Sequence, residues 1–204
     1  TTASDMLKIT LAAMEHPRFM EVCGMARADI PATNLCPERS FHNTNFMISN
    51  TETSAYLYAY CLGGKTGNTT EAGNCLVAFA QKGDLYLVSV MLGSKTEYTR
   101  SGVRRILSFL DTEDLFDWAF SSFSYRTVVS ASEPAAEVRV ALSDTKDYVV
   151  LRPEREVRVF LHKSVPLDAF TTSIKLDEDV TAPVLRGDAL GQMTVYRNGK
   201  PVDT

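Results

Sequence analysis

Histidine, tryptophan and cysteine are scarce in this sequence: three, one and four among 204 residues. No two cysteines stand as C-x-x-C, and His16, His42 and His162 do not cluster with Cys23, Cys36, Cys61 or Cys75. A zinc site needs such clustering, so no metal is expected. Four cysteines permit three disulfide pairings, among which the sequence does not choose. Basic residues are in deficit, 21 Lys and Arg against 25 Asp and Glu, for a formal net charge of -4. A chain with no basic excess has little to neutralise phosphates with, and nucleic-acid binding is excluded on that ground. No apolar run approaches the ~20 residues of a membrane-spanning helix. Internal repeats and low-complexity segments are missing too. So is an initiator methionine: the chain opens at Thr1, already inside a helical pattern, and is expected to be a processed or truncated polypeptide.

What remains is ordinary globular composition, 45% hydrophobic and 23% charged, and it divides in two. Residues 1–124 mix helix and strand. "TTASDMLKITLAAM" has N-cap hydroxyls at Thr1 to Ser4 and apolar residues at helical spacing, and Pro17 predicts a stop near His16. "RFMEVCGMARA" predicts a second short helix, followed by a loop-rich stretch to Asn50. "NCLVAFAQKGDLYLVSVMLG" predicts a hairpin turning at Gly83, with strands covered on both faces. Cys75, in its first apolar run, is expected to be a small core residue. "TRSGVRRILSFLDTEDLFDWAFSSF" predicts one long helix whose stripe holds Val103, Ile106, Leu107, Leu110, Leu115 and Trp118. Residues 125–204 change character: "EVRVAL", "DYVVLRP" and "EVRVFLHK" are short strands, with turns expected at Arg186-Gly187 and Asn198-Gly199. The second part therefore reads as a small all-β sandwich or barrel. The expected fold class is α+β.

The stretch that carries chemistry is "CLGGKTGNTTEAGNC", Cys61 to Cys75. Ala59-x-x-x-x-Gly64-Lys65-Thr66 approaches a phosphate-binding loop. That loop needs a helix starting at the threonine, so that its N-terminus faces the phosphates. "GNTTEAGN" places two more glycines and two β-branched residues there instead, which argues against it. The other reading makes Lys65-Thr66-Gly67 part of an extended edge that docks a peptide by strand addition. Lys65 then supplies a positive field, Thr66 a hydroxyl, and Gly67 room for close approach. A turn carrying a solvated lysine is the plain alternative for so short a motif. Cys61 has no histidine beside it and is expected to be a packed thiol rather than a nucleophile.

Several stretches together resemble the low-molecular-mass, serine-type penicillin-binding proteins, the D-alanyl-D-alanine carboxypeptidases. "GGKTGNTTEAGNCLVAFAQKGDLYLVSVMLG" is similar to their third-motif strand and its hairpin, and "TTASDMLKIT" to the helix after their second motif. "FHNTNFM" resembles the segment leading into that strand, "DLFDWAFSSF" the helix closing the catalytic domain, and the tail to "GQMTVYRNGKPV" their C-terminal β domain. The family uses S-x-x-K, then S-x-N, then K-T-G. In this chain S-x-x-K occurs once, at Ser143 to Lys146, after K-T-G and in a turn. S-x-N does not occur, and Tyr196-Arg197-Asn198 matches the looser form only in a terminal hairpin.

The resemblance implies that residues 1–124 are the C-terminal half of a transpeptidase-like catalytic domain and that 125–204 are the β domain. It implies a parent enzyme that trims peptidoglycan stem peptides through an acyl-enzyme, also binds β-lactams, needs no cofactor, and works outside the cytoplasm in the bacterial cell envelope. The nucleophilic serine and base lysine would precede this chain, leaving it inactive alone. Substrate binding falls to Lys65, Thr66, Gly67, to Asn68 through its backbone N–H, and to Arg100 in "TEYTRSG" through a carboxylate contact. Asn68 stands where an aromatic residue or histidine is more familiar. Thr69, Asn43, Thr44 and Asn45 are expected to be structural. Membrane anchoring would come from a segment beyond Thr204. The piece is expected to self-associate or to pair with its N-terminal half. The rival from another class is a non-catalytic peptidoglycan-binding or scaffold module on the same half-fold.

Overall fold

A computed structural model describes residues 1–203. The chain forms two compact units, Thr1–Ser121 and the residues from Ser122 onward. In the first, helix α1 (Ala3–Met14) begins on a reciprocal cap. Thr2 accepts the Asp5 N–H, and the Asp5 carboxylate accepts the Thr2 N–H at 2.9 Å. These two bonds to Thr2, backbone first, hold the Asp5 carboxyl below its ordinary value. The inner face runs through Met6, Thr10 and Ala13, while Ile9 is exposed. The helix stops before Pro17, which opens α2 (Pro17–Gly24) at its N1 position. A short hairpin follows, β1 (Arg27–Ile30) on β2 (Arg39–His42).

The main sheet has three antiparallel strands in the order β3-β4-β5: β3 (Cys61–Thr69), β4 (Gly73–Lys82) and β5 (Leu85–Ser94). The β4–β5 turn is at Gly83, as its sequence indicates. On the central strand Leu76, Ala78 and Ala80 face one side and Phe79 the other, and all four are buried. Both faces are thus covered, which is why "CLVAFA" does not alternate. Helix α1 packs against β5, and α2 against β3.

The expected long helix begins later than its pattern indicates. Thr96–Tyr98 (β6) pairs with Arg104–Ile106 (β7), Glu97 opposite Arg105, around a turn closed by Gly102 at positive φ. Helix α3 is therefore Leu107–Ser122. Its fully packed stripe is Phe109, Thr112 and Phe116; of the expected face Ile106 and Leu110 do join the core, but Val103 and Trp118 are more than half exposed and Leu115 is exposed too, which corrects that face in part. Each packed residue is three or four on from the last, so the 3.6 period is kept but rotated. The reason is the segment "SAYLYAY". Tyr56 accepts the Ile106 N–H at 2.9 Å and donates to the Arg104 carbonyl, and the Tyr58 hydroxyl donates to Asp117 at 2.7 Å. Phe109 and Phe116 pack beside these two rings, over Leu76, Ala78 and Ala80.

Among the described residues, the second unit is all β apart from one 3-10 turn, Leu167–Ala169. Strand β8 (Phe123–Val129) pairs with β11 (Val157–His162), and β9 (Ala136–Arg139) with β10 (Tyr148–Leu151). Strands β12 (Phe170–Leu176), β13 (Gly191–Arg197) and β14 (Lys200–Asp203) form a three-stranded sheet. These strand pairings are antiparallel, and one isolated bridge, Ala141 to Thr181, is parallel. One cluster joins Val129, Val157 and Val195, another Val138, Val140 and Val180. Asn198 and Gly199 both take positive φ, as a two-residue hairpin between right-twisted strands requires. Among the described residues, no helix is long and apolar enough to cross a membrane.

Candidate functional site

Lys65, Thr66, Gly67 and Asn68 are consecutive on β3, an edge strand of the main sheet. Two glycines upstream set how closely the strand is seated. A Cβ on Gly64 would lie 2.1 Å from the Val77 carbonyl oxygen of β4. One on Gly63 would lie 2.6 Å from the Cys23 carbonyl at the end of α2. Neither position admits a side chain without moving backbone. Gly67 is different. Its Cβ would meet nothing nearer than Cys75 Cβ at 3.8 Å, an ordinary contact, and its φ is not in the positive range.

Pairing runs through the motif, with Lys65 opposite Val77, Thr66 opposite Leu76 and Gly67 opposite Cys75. Thr66 therefore continues a strand. There is no loop-to-helix transition for a phosphate, and that alternative falls. Lys65 is exposed and its Nζ donates to the Thr66 carbonyl oxygen at 2.6 Å. Burial pushes the Cys23 thiol up, and the Lys65 charge opposes that rise. The Asn68 side chain is turned across the ladder: its Nδ2 donates to Asn74 Oδ1 at 2.6 Å, and Asn74 Nδ2 donates in turn to Thr96 Oγ1 at 3.0 Å. The Asn68 side-chain amide nitrogen is thus tied to its cross-strand neighbour.

Thr69 ends the strand, its hydroxyl accepting the Ala72 N–H at 3.0 Å in the β3–β4 turn. Arg100 sits in the turn between β6 and β7, exposed and outside any helix. No hydrogen bond or ion pair joins its side chain to Lys65–Asn68 among the described residues. Thr44 is brought to the motif although no pattern marks it: its Oγ1 lies 2.5 Å from Thr66 Oγ1. Asn43 and Asn45, on either side, are bonded into the surrounding backbone.

All four cysteines are free thiols. Cys61 is largely enclosed, and burial raises its pKa, which suits a packing role and not a thiolate. Cys75 is only half-buried, less enclosed than its apolar run indicates, because it faces Gly67 near the strand's open end. Ser143 and Lys146 do not form a catalytic pair. The Ser143 hydroxyl accepts the Thr145 and Lys146 N–H groups in an exposed turn, so serine and lysine are not stacked on a helix face.

The family described as D-alanyl-D-alanine carboxypeptidase matches residues 1–96, and the penicillin-binding protein 5 C-terminal domain matches residues 123–204. The chain belongs to the low-molecular-mass penicillin-binding proteins. A D-alanyl-D-alanine carboxypeptidase of Bacillus subtilis is 25% identical over 155 residues, 76% of this chain and 38% of that protein. One from Escherichia coli is 30% identical over 141 residues, 69% of this chain and 33% of that protein. The chain thus spans about a third of the length of the curated relatives it matches. Among solved structures, a peptidoglycan synthesis regulatory factor of Streptococcus pneumoniae superposes with a TM-score of 0.52 at 18% identity. The match covers 91% of this chain and 47% of that one, and it bears on the fold alone. The α+β class, with helices on an antiparallel sheet followed by an all-β part, is that of the family.

Proposed function

We propose that this chain supplies the substrate-docking strand of a serine-type D-Ala-D-Ala carboxypeptidase. Residues 1–124 would be the C-terminal half of the catalytic domain and 125–204 its β domain. The observation that carries the reading is Gly67. A glycine in a strand interior costs about 0.5–1 kcal/mol relative to alanine, and nothing in the fold needs one there, since a Cβ has room and φ is unstrained. A glycine kept at such a position leaves space for a ligand backbone to lie against the strand. β3 has a free edge among the described residues, so an extended peptide can add to it.

The roles follow from position. Lys65 provides positive charge beside the incoming peptide. Thr66 offers its hydroxyl to the terminal carboxylate, and Arg100 a planar guanidinium to the same group. The Asn68 N–H is one donor to the developing oxyanion, an interaction worth about 3 kcal/mol in the transition state. The nucleophile and base are not among these residues. In the intact protein a serine attacks the D-Ala-D-Ala carbonyl, D-alanine leaves, and water hydrolyses the acyl-enzyme. Its substrate is the peptidoglycan stem peptide, β-lactams occupy the same place, and its compartment is the extracytoplasmic cell envelope.

Fluorescent penicillin tests this. The intact polypeptide that contains this chain should retain the label through denaturing electrophoresis, and residues 1–204 alone should not. An unlabelled intact protein would refute the proposal, as would labelling of the chain by itself.

A further inference from the structure

Thr44 is far from the K-T-G stretch in sequence, yet its hydroxyl lies on that of Thr66. The placement is built from both sides. Asn43 Nδ2 donates to the Met25 carbonyl at 2.9 Å, and Asn43 Oδ1 accepts the Asn45 N–H at 2.9 Å. Asn45 is fully buried, and its Oδ1 accepts the Met47 N–H at 3.1 Å. Met47 is itself core. Thr44 therefore stands at the tip of a turn anchored to the segment after α2 on one side and to the hydrophobic core on the other. Its side chain is exposed, so the turn does not hold it for packing.

A hydroxyl has one proton and two acceptor lone pairs. In the Thr44–Thr66 pair, one of the two protons is consumed. If Thr66 donates, it has only lone pairs left, and these repel a carboxylate. If Thr44 donates, the Thr66 proton is free to turn toward a ligand, and the bond it has accepted polarises it. A carboxylate accepts and never donates, so it selects the second arrangement. Thr66 has no other hydrogen-bond partner for its hydroxyl among the described residues.

Resting on the reading that β3 docks a carboxylate-bearing peptide or β-lactam, we infer that Thr44 is a positioning residue: it donates to Thr66 Oγ1 and frees the Thr66 proton for the ligand carboxylate. It touches no reacting atom and acts only through Thr66.

The test compares the intact wild-type protein with Thr44→Val, which keeps shape and removes the hydroxyl, and Thr44→Ser, which restores it. Two probes are used, benzylpenicillin and its methyl ester, which lacks the charged carboxylate. Thr44→Val should lower the second-order acylation constant for benzylpenicillin about tenfold, the scale of a hydrogen bond to a charged group. The loss should lie in the affinity of the pre-covalent complex. The methyl ester should react within about twofold of the wild-type rate, and Thr44→Ser should recover the benzylpenicillin rate. Should Thr44→Val fail to fold, Thr44→Ala, a simple deletion at an exposed position, carries the same expectation. Equal losses with both probes would mean a merely structural turn and overturn the inference. So would an unchanged benzylpenicillin rate, or a serine variant as slow as the valine one. A wild-type protein that reacts with neither probe refutes the proposed function itself, and this inference with it.

Discussion

Gly67→Ala separates what the fold needs from what a ligand needs. The Cβ it adds would find Cys75 Cβ at 3.8 Å and no backbone atom nearer, and φ is already compatible with an L side chain. Replacing a strand glycine under those conditions should stabilise the first unit by about 0.5–1 kcal/mol, because the unfolded chain loses freedom. Its melting temperature should rise by roughly 2–4 °C. Gly64→Ala is the contrast, three residues away on the same strand. Its Cβ would lie 2.1 Å from the Val77 carbonyl oxygen and 3.0 Å from Ala78 Cα. Both are backbone of β4, so relief requires β3 to lift off the sheet. Overpacking and backbone strain together put the cost at about 3 kcal/mol or more. Thermal or urea unfolding of the 204-residue chain, followed by circular dichroism, reads both. In the intact protein, Gly67→Ala should lose penicillin acylation while it gains stability. If Gly67→Ala destabilised the chain as Gly64→Ala does, the fold would need that glycine, and the case for an open docking edge would be refuted.

Two further expectations concern the first unit. Burial, and secondarily the hydrogen bond to Asp117, raise the Tyr58 pKa above its ordinary value of 10.0. Folded Tyr58 then keeps its proton where the unfolded one ionises, so stability is complete below pH 10 and falls as pH rises beyond it. Tyr58→Phe should remove that part of the alkaline slope in urea titrations; an unchanged slope would count against the assignment. The second concerns association. Ile9, Leu62 and Leu92 are exposed, and β5 has one edge unpaired among the described residues. Such surfaces favour pairing with another chain or segment. Light scattering should therefore detect self-association of the 204-residue chain at micromolar concentration, and a monodisperse monomer would oppose it.

The elements that local chemistry decides are legible in the sequence. The helix cap at Thr2, the stop at Pro17, the turn at Gly83 and the Asn198-Gly199 hairpin depend on residues within a few positions of one another. The start of α3 was not legible. "RRILSF" fits helix by spacing, but Arg104–Ile106 has a partner strand in Thr96–Tyr98, and pairing outweighs propensity there. Nor was the packed face of α3. It is chosen by Tyr56 and Tyr58, which lie some fifty residues upstream and lock onto Ile106 and Asp117. The alternation of Tyr56, Tyr58 and Tyr60 was the available signal, since aromatic residues that recur at a period of two announce a shared buried surface.

The site divides in the same way. Lys65 to Asn68 could be read because they are contiguous, and a contiguous motif carries its own geometry once it lies in a strand. Arg100 could be named only through family resemblance, and it stands in a β turn where a helix was expected. Thr44 could not be read as more than structural, because its significance is a contact and not a spacing. "HNTN" reads as a loop whose asparagines bond nearby backbone, and they do. The consequence of that bonding is visible only in three dimensions: two asparagines whose side chains are spent on the backbone aim the threonine between them at Thr66. A turn built for stability and a turn built to orient a hydroxyl use the same residues. The charge of the ligand is what tells them apart, which is why the acid and ester probes, more than any measurement of stability, decide the role of Thr44.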